Sequence, residues 1–168
     1  MSKYLLALLC GLLFPLGFAP FDYWPLTILS ISLALYLASE RVQKNTFLLG
    51  LFYGIGQWGL GISWVYVSIH YHGNQGILSS LLITTLFIFF LSLYTGLTFY
   101  LIKKFRTGNK DLNYLLFFPV VWVTVEIIRS YLFTGFPWLI VGTSLAGTSM
   151  GGWIPISVSY THLTLPTT

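Results

Sequence analysis

Charge is what this sequence has least of. Its 168 residues include 8 Lys or Arg and 4 Asp or Glu, together 7% of the chain. A soluble domain carries about 25%, which at this length would be about 42 charges. A water-facing surface cannot be covered from such a supply, so a soluble globular domain is excluded. A disordered chain is excluded too, because hydrophobic residues make up 56% and aromatic residues 18%, and mean hydropathy is +0.81. Cysteine is nearly missing: Cys10 stands alone inside an apolar run, which leaves no disulfide framework. With no basic neighbour to activate its thiol, it reads as a small apolar filler. Also missing are a Ser-His-Asp set, paired carboxylates and a phosphate-binding loop, so no catalytic residue is assigned. The net charge of +4 does not indicate nucleic acid, because the basic residues lie between apolar runs rather than on one face. His70 and His72 lack a third sulfur or carboxylate ligand nearby, which argues for interfacial polar residues and against a metal.

What is present is a series of long uncharged stretches. Crossing the hydrocarbon takes about 20 apolar residues in a helix. Residues 4–39 hold a single charge, Asp22, beside Pro20 and Pro25, the mark of two short spans with a turn between them. Residues 45–102 carry no Asp, Glu, Lys or Arg and fit two spans joined by HYHGNQG. The expected fold is all-α, a polytopic transmembrane helix bundle of five spans, at about 4–20, 25–39, 47–69, 77–101 and 113–133, followed by the start of a sixth. Lys3, Arg41, Lys44, Lys103, Lys104, Arg106 and Lys110 all fall on one side of that arrangement, and the alternate loops 20–25 and 70–76 contain no Lys or Arg. The positive-inside rule then puts the N-terminus in the cytoplasm. Lys3 and the following leucines also resemble a signal peptide, but Pro15, Pro20 and the apolar run that follows argue against cleavage.

Glu126 and Arg129 are the only charges inside the fifth span. An intramembrane charge costs about 2.5–3.5 kcal/mol or more and is a functional hypothesis by default. Their spacing of three puts them on one helical face, where they can pair, with Trp122 one turn earlier. Both belong in the outer half of the membrane, where Arg129 can snorkel toward the headgroups. Two readings stand: a docking point for an anionic phosphate or an outer segment, and an internal ion pair that locks the span to a neighbour. In the third span, Gly50, Gly54, Gln57, Gly61, Trp64 and Ser68 recur every three or four residues. This small, polar face suits close helix packing better than a ligand groove, and Gln57 needs a partner across it. After the fifth span, residues 134–153 are rich in Gly, Ser and Thr. They are expected to form irregular backbone buried in protein, with Pro137 ending the helix and Trp138 at the interface.

The tail departs from all this. VSYTHLTLPTT, residues 158–168, is polar and Thr-rich, and its back-translation resembles a transposase mosaic-end adapter. It is read as a translated cloning or sequencing scar, with residues 1–157 as the membrane domain of a longer protein. His162 then carries no function.

Four motifs, in order, resemble the membrane domain of the bacterial apolipoprotein N-acyltransferases: GFAPFDYWPL (residues 17–26), GISWVYVSIH (61–70), LSLYTGL (91–97) and EIIRSYLFTGFPWL (126–139). GWIPIS (152–157) is similar to the family's entry into its sixth span. The resemblance covers about residues 1–157. It implies an eight-span protein of the bacterial inner membrane with a nitrilase-like periplasmic domain inserted before the last span. The implied reaction moves an acyl chain from a phospholipid of the phosphatidylethanolamine type to the N-terminal amine of a diacylglyceryl cysteine on an apolipoprotein. A Glu-Lys-Cys triad in the periplasmic domain would carry it, by covalent acyl transfer without a cofactor or metal. This sequence stops before that domain, so neither Glu126 nor Cys10 is promoted into the triad, and the fragment alone is expected to be inactive. Its expected role is to position lipid substrates, with Arg129, Glu126, Trp138 and Trp64 lining or bracing the outer side. The competing readings are a small transporter or pore subunit and a non-catalytic membrane assembly protein, although no internal repeat supports the former.

Overall fold

The computed structural model describes residues 2–39, 45–148 and 151. Glu40, Arg41 and Lys44, the sixth-span entry at 152–157 and the tail at 158–168 lie outside the described residues.

Every regular element among the described residues is helical. The leucine-rich start forms α1, Ser2–Leu13, which Pro15 tightens into a 3-10 turn at Phe14–Gly17. After a turn, α2 runs Trp24–Ser39. Next come α3, Thr46–Gly61, capped by the Asn45 side chain on the Leu48 amide, and the short α4, Trp64–Val67, which continues as a π turn to His72. The longest helix is α5, Ile77–Lys104. The last α-helix among the described residues begins as α6, Lys110–Leu112, and passes through a π turn into α7, Phe118–Tyr131, and 3-10 turns follow at Leu132–Thr134 and Val141–Leu145.

Two helices, Ile77–Lys104 and Asn113–Tyr131, are long and apolar enough to cross a bilayer. A third span is available if Thr46–Gly61 and Trp64–His72 count together, and α1 and α2 are shorter apolar helices. The segment expected as a span at 47–69 is thus helical in two halves that meet at 50°. The break leaves the last carbonyls of α3 without helical partners. The Trp138 indole takes the Gly61 carbonyl at 3.1 Å, and the Ser63 hydroxyl takes that of Leu60 at 3.1 Å. The helix expected to run to about 133 ends at Tyr131, six residues ahead of Pro137, because Leu132 turns extended at ψ 138° and Phe133 follows at φ 53°.

The core is a seam of α1, α3 and α5. Lipid gives apolar side chains no reason to leave it, so helices in a membrane associate through close packing and buried polar contacts. Gly11 and Gly56 provide the closest approach. A Cβ on Gly11 would strike the Tyr53 carbonyl oxygen of α3, and one on Gly56 would strike the Leu8 carbonyl oxygen of α1. The Gly50 and Gly54 face does pack: a Cβ there would lie 2.7 Å from Phe99 and 2.9 Å from the Ser92 backbone of α5, respectively. Gln57 meets the Thr95 hydroxyl of α5 at 3.5 Å. α2 joins through Thr27, which donates to the Phe14 carbonyl at 3.0 Å, and through Ser30, which bridges the Cys10 carbonyl and the Tyr53 hydroxyl. The opposite faces carry large exposed apolar side chains such as Leu78, Leu82, Leu86 and Leu115, as lipid-facing surfaces do.

Candidate functional site at the loop after α7

α7 presents Trp122, Glu126 and Arg129 on one face, at intervals of four and three residues. Beyond Tyr131 the chain reverses on itself. Phe133 and Gly135 both take positive φ, 53° and 78°, and a Cβ at Gly135 would strike the Ser130 carbonyl, so glycine is required there. The reversal lays residues 136–141 back along α7. The Phe136 amide donates to the Arg129 carbonyl at 3.1 Å, and the Arg129 guanidinium returns a hydrogen bond to the Phe136 carbonyl.

Glu126 holds the far end of the same loop. Its Oε1 accepts from the Trp122 indole and from the Val141 amide, each at 3.0 Å. Glu126 and Arg129 are not hydrogen-bonded to each other among the described residues, although their spacing allows it. Each has a loop backbone group as its partner instead. Arg129 does not snorkel outward: it is 4% exposed, and its guanidinium lies 4.8 Å from the centre of the Trp58 ring on α3. That ring is fixed in turn by a 3.2 Å hydrogen bond from its indole to Thr95. A buried cation thus acquires an aromatic face and a carbonyl, which offset part of its desolvation.

The loop completes an aromatic row. Phe136 packs on Trp58 and Phe87, with centroids 6.3 and 5.1 Å away, and Trp138 packs on Trp64 at 5.4 Å. Leu139 sits under Gly61, where a Cβ would collide with its side chain. Trp64, Trp138 and Leu139 form one wall of a groove of about 690 Å³, open between the α1–α2 turn, the end of α3 and residues 137–147. Phe18, Phe21 and Leu60 supply the other walls, and Asp22 is the charged residue among those that line it. Trp64 and Trp138 stand 46% and 44% exposed on its rim.

Of the four residues singled out from sequence, Glu126 and Arg129 hold the loop from beneath, and Trp138 and Trp64 stand on the groove. The loop backbone between Phe136 and Val141 connects the two pairs. Sequence reasoning missed Trp58, Phe136 and Leu139. Trp58 had a signal, because a buried arginine needs an aromatic or polar partner on another helix, but nothing in the spacing says which tryptophan. His70 is placed as a loop residue: its Nδ1 meets the Gln75 carbonyl at 2.7 Å, and its ring stacks on Tyr66. The groove's Trp64 and Trp138 offer shape and apolar surface, Asp22 adds one carboxylate, and the described residues that line it include no Cys, His or Lys.

Residues 10–162 match the family model described as the apolipoprotein N-acyltransferase N-terminal domain. An apolipoprotein N-acyltransferase of Coxiella burnetii is 43% identical over 156 residues, covering 90% of this chain and 31% of that protein. One from Methylococcus capsulatus is 37% identical over 156 residues, covering 93% of this chain and 31% of the relative. One from Vibrio cholerae is 36% identical over 152 residues, covering 90% and 30%. The chain thus spans about three-tenths of the length of these relatives.

Proposed function

The chain belongs to the apolipoprotein N-acyltransferase N-terminal-domain family, and on that premise we propose that it is the membrane platform of an enzyme that N-acylates apolipoproteins. The whole protein would take an acyl chain from a phospholipid of the phosphatidylethanolamine type. It would pass that chain to the N-terminal amine of a diacylglyceryl cysteine. In this reading the helices make five spans in a bacterial inner membrane. The N-terminus and the basic linkers face the cytoplasm, and the aromatic groove faces the periplasm, where the catalytic Glu-Lys-Cys domain would sit. The five-span count needs α1 with its 3-10 turn, and α2, to cross although each is short. The lysines and arginines at one end of the bundle favour that orientation.

One observation carries the reading. A groove of about 690 Å³, rimmed by Trp64 and Trp138, is held open by a loop that Glu126 and Arg129 clamp. A rigid, aromatic, largely uncharged groove at a membrane face suits lipid chains and can fix their position for a reaction elsewhere. Arg129 and Glu126 act as braces in this proposal, and Trp64 and Trp138 as the residues that touch lipid. No metal or cofactor is invoked.

The test is a growth assay in a strain depleted of its own transferase. The chain alone should not restore growth, and rescue by it would overturn the platform role. Residues 1–157, grafted in place of the matching segment of the Coxiella burnetii relative, should restore growth. Trp138→Ala in that chimera should lower acyl transfer while protein level stays constant. A chimera that is stably produced and inactive would equally overturn the reading.

A further inference from the structure

At the end of the bundle away from the aromatic groove, the described helices leave space between them. α2 starts beside the groove and ends at Ser39, next to a second cavity of about 510 Å³. Its wall is apolar, with Leu35 from α2, Phe99 and Ile102 from α5, and Phe117 and Phe118 from the start of the last helix. Lys103 and Arg106 also line it, and the described residues that line it include no Asp or Glu.

The floor of this cavity is fixed. In the linker after α5, the Thr107 amide and hydroxyl donate to Asn113 Oδ1 at 2.8 and 3.0 Å, and Asn113 Nδ2 donates back to the Thr107 carbonyl at 2.8 Å. Asn109 Oδ1 receives the Asp111 amide at 2.9 Å. Arg106 donates from Nη1 to the Ser39 carbonyl at 3.3 Å, which ties the linker to the end of α2 and occupies one of the guanidinium's five donors.

We propose that this cavity binds an anionic phospholipid, its phosphate diester between Lys103 and Arg106 and its acyl chain against Phe99, Ile102, Phe117 and Phe118. A guanidinium presents a planar fork that matches phosphate oxygens, and an ammonium beside it adds a point charge. Basic pockets between membrane helices recognise acidic headgroups in this way. The apolar wall argues for a lipid over a free phosphate, because a soluble anion would leave that wall wet. The Arg106 guanidinium also disfavours a zwitterionic lipid, whose own ammonium would be brought against it. The site goes beyond the platform role: it lies at the other end of the bundle and uses none of Trp64, Trp138, Glu126 or Arg129.

The chain in mild detergent can be tested by native mass spectrometry against phosphatidylglycerol and phosphatidylcholine of matched acyl chains. Phosphatidylglycerol should be retained about tenfold better, and the double variant Lys103→Gln, Arg106→Gln should abolish that preference. Lys104→Gln removes one neighbouring charge, from a side chain that lies over the Tyr100 ring, 5.9 Å from its centroid, and should keep it. Equal losses in Lys104→Gln and the double variant would overturn the site by reducing it to general charge attraction. Glycerol 3-phosphate should not displace the lipid, and displacement as efficient as by phosphatidylglycerol itself would overturn the lipid assignment. A further arm needs no variant: phosphatidylglycerol with a diazirine in its acyl chain should crosslink within residues 99–118. Labelling confined to other segments would sink the proposal.

Discussion

The α1–α3 seam and the loop after α7 both rest on α3, and they are held by opposite means. The seam is made by leaving side chains out: Gly11 and Gly56 let two backbones meet, and a single added carbon on either would strike a carbonyl of the other helix. The loop is made by putting costly side chains in: Glu126 and Arg129 spend their hydrogen bonds on the Val141 amide and the Phe136 carbonyl. In lipid both solutions make sense. Helices already satisfy their own backbone and need only fit, whereas an irregular loop brings bare amides and carbonyls that must be satisfied from within the protein. The seam is therefore sensitive to volume and the loop to polarity.

Volume should break the seam first. Gly56→Ala is expected to have the largest effect, because the obstructing atom is backbone and cannot swing aside. The cost should reach about 3 kcal/mol, the upper range for overpacking, read as a lowered melting temperature in detergent. Gly59→Ala is the matched control, since nothing lies within 4 Å of a Cβ there. It should be neutral or stabilising by up to about 1 kcal/mol from helix propensity. If both alanines cost the same, the seam is not made by close approach.

Polarity should break the loop next. Arg129→Gln removes the charge that faces Trp58 and donates to the Phe136 carbonyl, at a cost of about 2 kcal/mol. The loss should be local: limited proteolysis should cut within residues 132–141 while α1, α3 and α5 stay protected. General unfolding in step with the cleavage would instead make Arg129 part of the core.

The sequence displayed these two regions unequally. The membrane class and the helical fold were readable from twelve charges in 168 residues, because water cannot be faced without more. The Gly50–Gly54 face was readable because its spacing repeats at the helical period. Gly11 and Gly56 were not, since each meets a carbonyl on the other helix and forms no repeat with the other in the chain. Glu126 and Arg129 stood out as charges where charge is expensive. Their partners did not, because a backbone amide or carbonyl carries no letter of its own. Which of them comes within reach depends on the positive φ of Phe133 and Gly135. The break after α3 was hidden for a similar reason: Gly61 and Ser63 permit it, but the Trp138 indole that accommodates it comes from 77 residues away.

That last contact offers the smallest and sharpest test, because Trp138 belongs to both halves of the comparison. Its ring packs on Trp64 as apolar volume, and its indole N–H satisfies the Gly61 carbonyl left bare where α3 ends. Trp138→Phe keeps most of the ring and removes the donor, so it should cost only about 1 kcal/mol. The loss should appear at the break and leave the seam unchanged. Hydrogen exchange at Ile62, whose amide bonds to the Trp58 carbonyl at 3.0 Å across this joint, should quicken while the amides of Tyr53 and Gly54 keep their protection. If exchange stays unchanged throughout, the indole bond does not hold the joint, and the bend belongs to α3 itself.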